Sequence, residues 1–111
     1  MPEPAVDLRA DHLQLVLGIL AKNIPDHEVW AFGSRVQGRA KPYSDLDLAV
    51  MGEQPLSLTV LAALADDFAE SDLPIRVDIV DWATTKDNFR QIIGKNKVVL
   101  QAPSENPGTV Q

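Results

Sequence analysis

Apolar residues recur along the chain with two different periods, and each period predicts a different kind of element. Between residues 7 and 22 they recur at spacings of three and four, which is typical of an amphipathic helix. The same spacing returns between residues 56 and 68 and predicts a second helix, whose end Pro74 marks. A third helix is predicted after Thr85, because a threonine hydroxyl is a suitable N-terminal cap.

Four shorter runs have the β-branched or alternating character of strands, namely residues 27–32, 44–51, 75–80 and 97–100. The first two runs follow each other without a helix between them, which favours an antiparallel pair. The third run follows the second helix, which predicts a crossover that extends the same sheet. We therefore expect an α/β (α+β) fold in which helices pack on a small mixed sheet.

The length of 111 residues predicts a single domain, since chains carry roughly one domain per 150 residues. Residues 1–6 contain two prolines and are expected to be extended. Residues 7–100 are expected to form the domain. Residues 101–111 are polar and contain proline, which predicts a flexible tail.

The composition narrows the classes of function. A formal net charge of −6 argues against a protein that mainly grips nucleic acid, because such binding rests on clustered Lys and Arg. The chain lacks the run of about 20 apolar residues that a membrane span needs, and we see no secretory signal. Cysteine is absent, which excludes disulfides and thiolate metal sites and fits a cytoplasmic protein.

A glycine-containing loop, residues 33–40, has the two glycines of a P-loop at the right separation. Arg39 and Ala40 stand where a P-loop has lysine and a hydroxyl, and Ala40 cannot ligate magnesium. The loop also leads to a strand, whereas a P-loop opens a long helix. A calcium-binding loop that starts at Asp45 fails too, because Ala49-Val50 occupies positions that need a ligand and a glycine.

Three aspartates form the candidate chemical site. Asp45 and Asp47 alternate with apolar residues in a predicted strand, so their side chains point to the same face. Paired carboxylates repel each other unless a cation compensates, and Mg²⁺ prefers carboxylate and phosphate oxygens; a solvated sheet face is the alternative interpretation. Asp78 lies inside an apolar strand and is a third acid that calls for a partner. Asp81 competes for that place, although its position at the strand end favours a capping or turn role.

The order Gly33-Ser34, ten residues, Asp45-x-Asp47 and a later Asp78 resembles the DNA polymerase beta-like nucleotidyltransferase superfamily. Residues 7–100 as a whole are similar to its minimal nucleotidyltransferases, the MNT type. The steps Gly38-Arg39-Ala40 and Ser44-Asp45-Leu46-Asp47 match that type in order as well. Proteins of the MNT type have one domain and are commonly the antitoxin partners of HEPN-type toxins.

The resemblance implies a role for each residue of the motif. Asp45 and Asp47 would bind two Mg²⁺ ions, and Asp78 would complete one of the two sites and help to deprotonate the attacking hydroxyl. Gly33 would let the backbone approach the triphosphate of ATP. Ser34 would hydrogen-bond to the phosphate oxygens.

Arg35 and Arg39 are the candidates to steady the leaving pyrophosphate, because a guanidinium suits charge on phosphate oxygens. Either of them could equally be a surface cation. Tyr43 is the only tyrosine, and we expect it to be an exposed aromatic of the loop. Stacking near the nucleotide, or acceptance of AMP, is the alternative role for Tyr43.

The function that the resemblance implies is transfer of AMP from ATP to a hydroxyl group. In MNT–HEPN pairs the acceptor is a tyrosine of the toxin, whose RNase activity is thereby blocked. The expected partners are ATP and a HEPN-type toxin, in a homo- or hetero-oligomer, without a membrane or direct nucleic-acid binding. Two alternatives stay open: a catalytically idle antitoxin that acts by occlusion, and a nucleotidyltransferase for small molecules such as antibiotics. Intact Asp45, Asp47 and Asp78 favour the active enzyme.

Overall fold

A computed structural model describes residues 6–103 of the chain. The helices and strands are α1 Ala10–Asn23, β1 Val29–Phe32, β2 Leu46–Val50, α2 Leu58–Glu70, β3 Val77–Asp81, α3 Asp87–Lys95 and β4 Val98–Gln101. Two short 3-10 helices, Gly33–Val36 and Trp82–Thr84, follow β1 and β3. The predicted extended N-terminus and flexible tail fall mainly on residues 1–5 and 104–111, outside the described residues. Gln101, which the sequence pattern assigns to the tail, is the last residue of β4.

The four strands form one mixed sheet in the order β3-β2-β1-β4. β1 and β2 are antiparallel, as their succession in the sequence predicts. β3 joins β2 in parallel after the chain has crossed through α2, and β4 pairs antiparallel with β1 at the opposite edge. The prediction of a small mixed sheet with helices packed on it is confirmed.

The N-terminal helix starts at Ala10, three residues later than the apolar spacing predicts. The reason lies in the segment before it, whose backbone is paired with a distant part of the chain. The Asp7 N–H donates to the Arg35 carbonyl at 2.6 Å, which ties Asp7 to the turn after β1 and keeps it outside the helix. α2, by contrast, begins with a side-chain cap, since Ser57 Oγ accepts the Val60 N–H at 3.1 Å.

The prediction that Thr85 caps the third helix is wrong. Lys86 occupies the cap position of α3 without a side-chain hydrogen bond. Thr85 Oγ1 donates instead to the Asp81 carbonyl at 2.7 Å. Asp81 organises this turn, because its carboxylate accepts the N–H groups of Leu56 at 2.8 Å and Ala83 at 3.3 Å. The prediction that Asp81 caps or turns the chain is therefore confirmed.

The two faces of the sheet are covered by different helices. α1 and α2 lie on one face and form the main core, whose fully buried members include Val16, Leu20, Val29, Ala31, Leu46, Leu48, Val50 and Leu64. α3 covers part of the other face through Ile93, which packs with Phe32 and Ala49. The rest of that second face stays open. Within residues 6–103, every helix is too short or too polar to cross a membrane.

Candidate active site

Asp47 and Asp78 are direct neighbours on adjacent parallel strands, where they are partners in the register of β2 and β3. Such partners lie about 4.8 Å apart and point to the same face of the sheet. Asp45 stands one residue before β2, and all three acids are half-buried. The structure thus places Asp45, Asp47 and Asp78 at one end of the open face of the sheet.

The electrostatics of the site act on Asp47. Burial raises the pKa of Asp47 above its ordinary value, and the carboxylates of Asp78 and Asp45 raise it further. Both causes act in the same direction, because loss of solvation and nearby like charge each disfavour the ionised carboxylate. A cation bound among these side chains would relieve both effects. The donor set consists of hard oxygen atoms, which suits Mg²⁺.

Gly33 brings the glycine-serine turn against the second aspartate. Its φ of +82° lies in the left-handed region, which glycine adopts without strain. A Cβ atom on Gly33 would overlap Asp47 Oδ2 and would lie 3.2 Å from Asp47 Cγ. The absence of a side chain is therefore a condition for the position of the Asp47 carboxylate. The turn and the aspartate strand are therefore in close contact at this point.

Ser34 and Arg39 lie on the turn that follows β1. The Ser34 carbonyl accepts the N–H groups of Gln37 and Arg39, each at 3.2 Å, and the turn is completed by Gly38 with a φ of +72°. Arg39 is exposed, and its guanidinium donates to Gln37 Oε1. The turn holds Ser34 beside Gly33, while the Arg39 side chain is directed to a neighbour on the surface.

Arg35 is buried, with only 7% of its surface exposed. Its guanidinium donates to the backbone carbonyls of Asp7 at 2.7 Å, Ser44 at 3.0 Å, Pro42 at 3.2 Å and Lys41 at 3.3 Å. These contacts direct the donors of Arg35 to the protein's own backbone. The expectation that Arg35 touches pyrophosphate stays a prediction.

Comparison with known proteins identifies the family. A family model described as "Polymerase beta, Nucleotidyltransferase" matches residues 16–106, which is most of the chain. The chain belongs to this family. The prediction of a nucleotidyltransferase, made from the order of the glycine-serine turn and the aspartates, is thereby confirmed.

The relatives of this nucleotidyltransferase include proteins of the MNT type. It is 53% identical over 96 residues to "Probable protein adenylyltransferase MntA" of Haemophilus influenzae, which covers 86% of this chain and 84% of the relative. A crystal structure of a toxin–antitoxin with AMP-PNP matches with a TM-score of 0.69 at 28% identity, over 83% of this chain and 74% of that one.

A second solved structure with a similar fold contains an MNT antitoxin. An MNT antitoxin in complex with a tri-AMPylated HEPN toxin of Shewanella oneidensis matches with a TM-score of 0.64 at 25% identity. The match covers 86% of this chain and 73% of that one. The resemblance of the nucleotidyltransferase to the MNT type, and its polymerase beta-like fold, are confirmed.

One charged neighbour of the site was missed from the sequence. Arg76 Nη2 lies 3.4 Å from Asp78 Oδ1, with 79% of the Arg76 side chain and 46% of the Asp78 side chain exposed. The sequence did contain a sign of this contact, because Arg76 and Asp78 are two residues apart in the predicted strand, and such residues point to the same face. An exposed pair of this kind contributes little to stability, so a stronger ligand of Asp78 can displace Arg76.

The three aspartates of the nucleotidyltransferase lie close together but do not by themselves surround a metal position. Within residues 6–103, no group of three or more His, Cys, Asp or Glu side chains is gathered as a metal site. This agrees with the way Mg²⁺ binds in phosphate-handling enzymes, where one or two carboxylates act together with waters and substrate phosphates. The residues present fit a metal that arrives with its nucleotide.

Aromatic side chains border the carboxylates. Phe32 is the cross-strand partner of Asp47, and the Phe89 ring meets it edge to face with centroids 5.9 Å apart. Farther along the same face, Trp30 and Trp82 pack edge to face at 5.1 Å. Tyr43 is 85% exposed, as predicted for a loop aromatic.

Proposed function

We propose that this protein is a magnesium-dependent adenylyltransferase that transfers AMP from ATP to a hydroxyl group of a HEPN-type toxin, and that it acts as the antitoxin. The observation that carries the proposal is the side-by-side placement of Asp47 and Asp78 against the Gly33 turn. The relatives described above support the same activity, since one is named a protein adenylyltransferase and another is bound to an AMPylated HEPN toxin.

The metal-binding residues in this proposal are the three acids of the open sheet face. Asp45 and Asp47 are expected to hold two Mg²⁺ ions, and Asp78 to share one of them. When bound, magnesium supplies positive charge that stabilises the phosphates as charge shifts in the transition state. The raised pKa of Asp47 supports this assignment, because a carboxylate whose charge is disfavoured by burial and by neighbouring carboxylates gains most from a cation.

The chain's own groups position the reactants. The backbone of Gly33 approaches the triphosphate, and the Ser34 hydroxyl hydrogen-bonds to a phosphate oxygen. The Asp78 carboxylate accepts the proton of the acceptor hydroxyl, once it has separated from Arg76. The acceptor oxygen then bonds to the α-phosphorus, the bond from that phosphorus to the bridging oxygen breaks, and pyrophosphate leaves. Most of the rate comes from positioning and electrostatics, as in other phosphoryl transfers.

The acceptor in this proposal is a tyrosine of the toxin. The AMPylated HEPN toxin in complex with an MNT antitoxin supports a protein acceptor and a hetero-oligomer. The formal net charge of −6 supports a partner other than nucleic acid. The complex with AMP-PNP supports an adenine nucleotide as the donor.

One observation favours a second candidate, an idle antitoxin that neutralises its partner by occlusion. Asp78 is paired with Arg76, which competes with a metal for that carboxylate. An idle protein needs neither Asp45 nor Asp47 for its effect. The two candidates therefore differ in what happens when these aspartates are replaced.

The test is transfer of label from α-labelled ATP in the presence of magnesium. The purified protein is incubated with and without the HEPN-type protein encoded beside it, and an Asp45→Asn, Asp47→Asn double variant runs in parallel. We expect label on the HEPN-type protein with the wild type alone. Tight binding of that protein by both forms, without any label, would establish occlusion instead. Label on a small hydroxyl compound without a partner would establish the antibiotic-type activity.

A further inference from the structure

The loop that leads to the first aspartate has no regular structure of its own. Between the 3-10 helix Gly33–Val36 and β2, residues 37–45 contain only turns and irregular backbone. Asp45 is the last residue of this loop, so its side chain is only as well placed as the loop itself. A loop of this kind needs contacts from outside to adopt a single conformation.

Arg35 provides those contacts. Three of its four carbonyl acceptors, those of Lys41, Pro42 and Ser44, belong to this loop. The Ser44 carbonyl is part of the peptide unit that ends at Asp45. Its hydrogen bond to Arg35 Nε at 3.0 Å fixes the orientation of that peptide plane, and with it the direction in which Asp45 leaves the backbone.

We propose that Arg35 is a positioning residue for the metal-binding carboxylate of Asp45, and that it acts on the backbone of the loop instead of on phosphate. The inference rests on the proposed function, in which Asp45 binds a metal together with ATP. It assigns different tasks to two arginines that look alike in the sequence. Arg35 orders the loop from within, whereas Arg39 remains exposed and available to a ligand.

The chemistry of the side chain explains why an arginine stands here. Within residues 6–103, Arg35 is the one buried charged side chain, and its guanidinium donates to carbonyl oxygens. A guanidinium has five N–H donors in a rigid plane, so one side chain can bind several carbonyls at fixed angles. A lysine ammonium is a compact point charge and cannot span the same acceptors.

Further hydrogen bonds join Arg35 to the segment before α1 and close the loop on itself. Arg35 and Asp7 exchange two hydrogen bonds, since Asp7 N–H donates to the Arg35 carbonyl at 2.6 Å and Arg35 Nη1 donates to the Asp7 carbonyl at 2.7 Å. Inside the loop, Ser44 Oγ accepts the Lys41 N–H at 2.8 Å. The segment before α1 and the loop are therefore held through one guanidinium.

The test compares Arg35→Lys with the wild type by three measurements. We expect kcat for AMP transfer to fall by about 10²-fold, since displacement of a catalytic group by 1 Å has an effect of that size. Mn²⁺ affinity in the presence of AMP-PNP, followed by electron paramagnetic resonance, should weaken. Binding of ATP in EDTA, measured by calorimetry, should not change, because the phosphate contacts of the turn are intact.

Arg90→Lys is the matched control. Arg90 is half-buried and also binds a backbone carbonyl, since its Nε and Nη2 donate to the Trp82 carbonyl at 3.2 and 2.7 Å. It lies outside the loop, so its replacement should lower stability without changing Mn²⁺ affinity. If the Arg35 variant does not fold, Ser44→Ala loosens the same loop and should weaken Mn²⁺ binding in the same direction, by a smaller factor.

Two outcomes overturn the proposal. Weaker ATP binding in EDTA with unchanged Mn²⁺ affinity would make Arg35 a phosphate ligand. Wild-type values for kcat and Mn²⁺ affinity in a folded Arg35→Lys variant, or in Ser44→Ala where that variant is used, would remove any positioning role. Failure of the proposed function shows itself separately, because wild-type protein would then bind Mn²⁺ and AMP-PNP without transferring AMP. The binding measurements decide on Arg35 in that case too.

Discussion

The two faces of the sheet are built from alternate residues of the same strands, yet one face forms the core and the other carries the candidate active site. On β2, the side chains of Leu46, Leu48 and Val50 point to the face under α1 and α2 and are fully or almost fully buried. Asp47 points to the opposite face and lies beside Asp78, half-buried. One strand of five residues thus supplies both the core and the candidate active site.

Along β2, the core-facing side chains contribute mainly to stability, and the site-facing aspartate is expected to contribute mainly to function. Burial of apolar surface on the core face favours folding by roughly 25 cal/mol per Å². On the site face, folding brings like charges together, which opposes folding until a cation is bound. Substitutions on one face should therefore lower stability and spare activity, and substitutions on the other face should do the reverse.

The largest effect is expected for Asp47→Asn. AMP transfer should fall by at least about 10³-fold, or about 4 kcal/mol of transition-state stabilisation, since a preorganised electrostatic contact is lost. The free energy of unfolding in metal-free buffer should not decrease. Label transfer and urea denaturation measure the two quantities on the same preparation. Retained transfer by the variant would contradict the assignment of Asp47.

Leu48→Ala changes the next residue of the strand, whose side chain points to the other face. Leu48 is fully buried, so the free energy of unfolding should fall by about 2–5 kcal/mol. The kcat of the folded fraction should stay at the wild-type value. Leu48→Met conserves volume and is the matched control, with an expected cost below about 1.5 kcal/mol. A folded Leu48→Ala protein without activity would show that the two faces are not separate.

Gly33→Ala tests the close approach between the turn and the site face. The new methyl group would overlap Asp47 Oδ2, and we expect activity to fall by about 10²-fold because the carboxylate must move. Gly38→Ala is the control, since Gly38 also has a positive φ but open space around it. Both variants should lose roughly 1–2 kcal/mol of stability through backbone strain. Equal losses of activity in both would rule out the specific role of Gly33.

The smallest effect concerns the pH dependence of stability. The pKa of Asp47 is raised in the folded state, so the unfolded chain releases this proton at lower pH than the folded one. In EDTA, the wild type should therefore lose stability relative to Asp47→Asn as the pH rises through the ordinary pKa of 3.8, and the difference should close at lower pH. Urea unfolding between about pH 3 and pH 7 checks the sign. A gap that widens as pH falls would contradict it.

Local patterns predicted the order of the helices and strands, because periodicity and alternation are properties of neighbouring residues. The alternation around Asp45 and Asp47 predicts a shared face without any knowledge of the fold. The contact of Asp47 with Asp78 is different, since it depends on the register of two parallel strands joined through α2. That register is fixed by packing over the whole sheet, and no local signal encodes it.

Backbone acceptors are the second limit of sequence analysis. Arg35 and Arg39 have similar neighbours, and both were candidates for phosphate. The acceptors that distinguish Arg35 are carbonyls, one of them at Asp7, 28 positions away. Every residue type has a carbonyl, so the sequence gives no sign of which ones a buried guanidinium will meet. The prediction that Thr85 caps α3 failed for a related reason, since the Thr85 hydroxyl donates to the Asp81 carbonyl instead.

The order of the strands also determines when the site comes into existence during synthesis. The central strands β1 and β2 come first in the chain, and the edge strands β3 and β4 come later. A nascent chain that has emerged only to the end of α2 can form the antiparallel pair but does not yet contain Asp78. Because β3 pairs with β2 across the α2 crossover, Asp47 and Asp78 meet only when this non-local pairing forms. Any ligand that bridges them stabilises finished molecules alone, so its binding also selects for chains whose edge strand has docked.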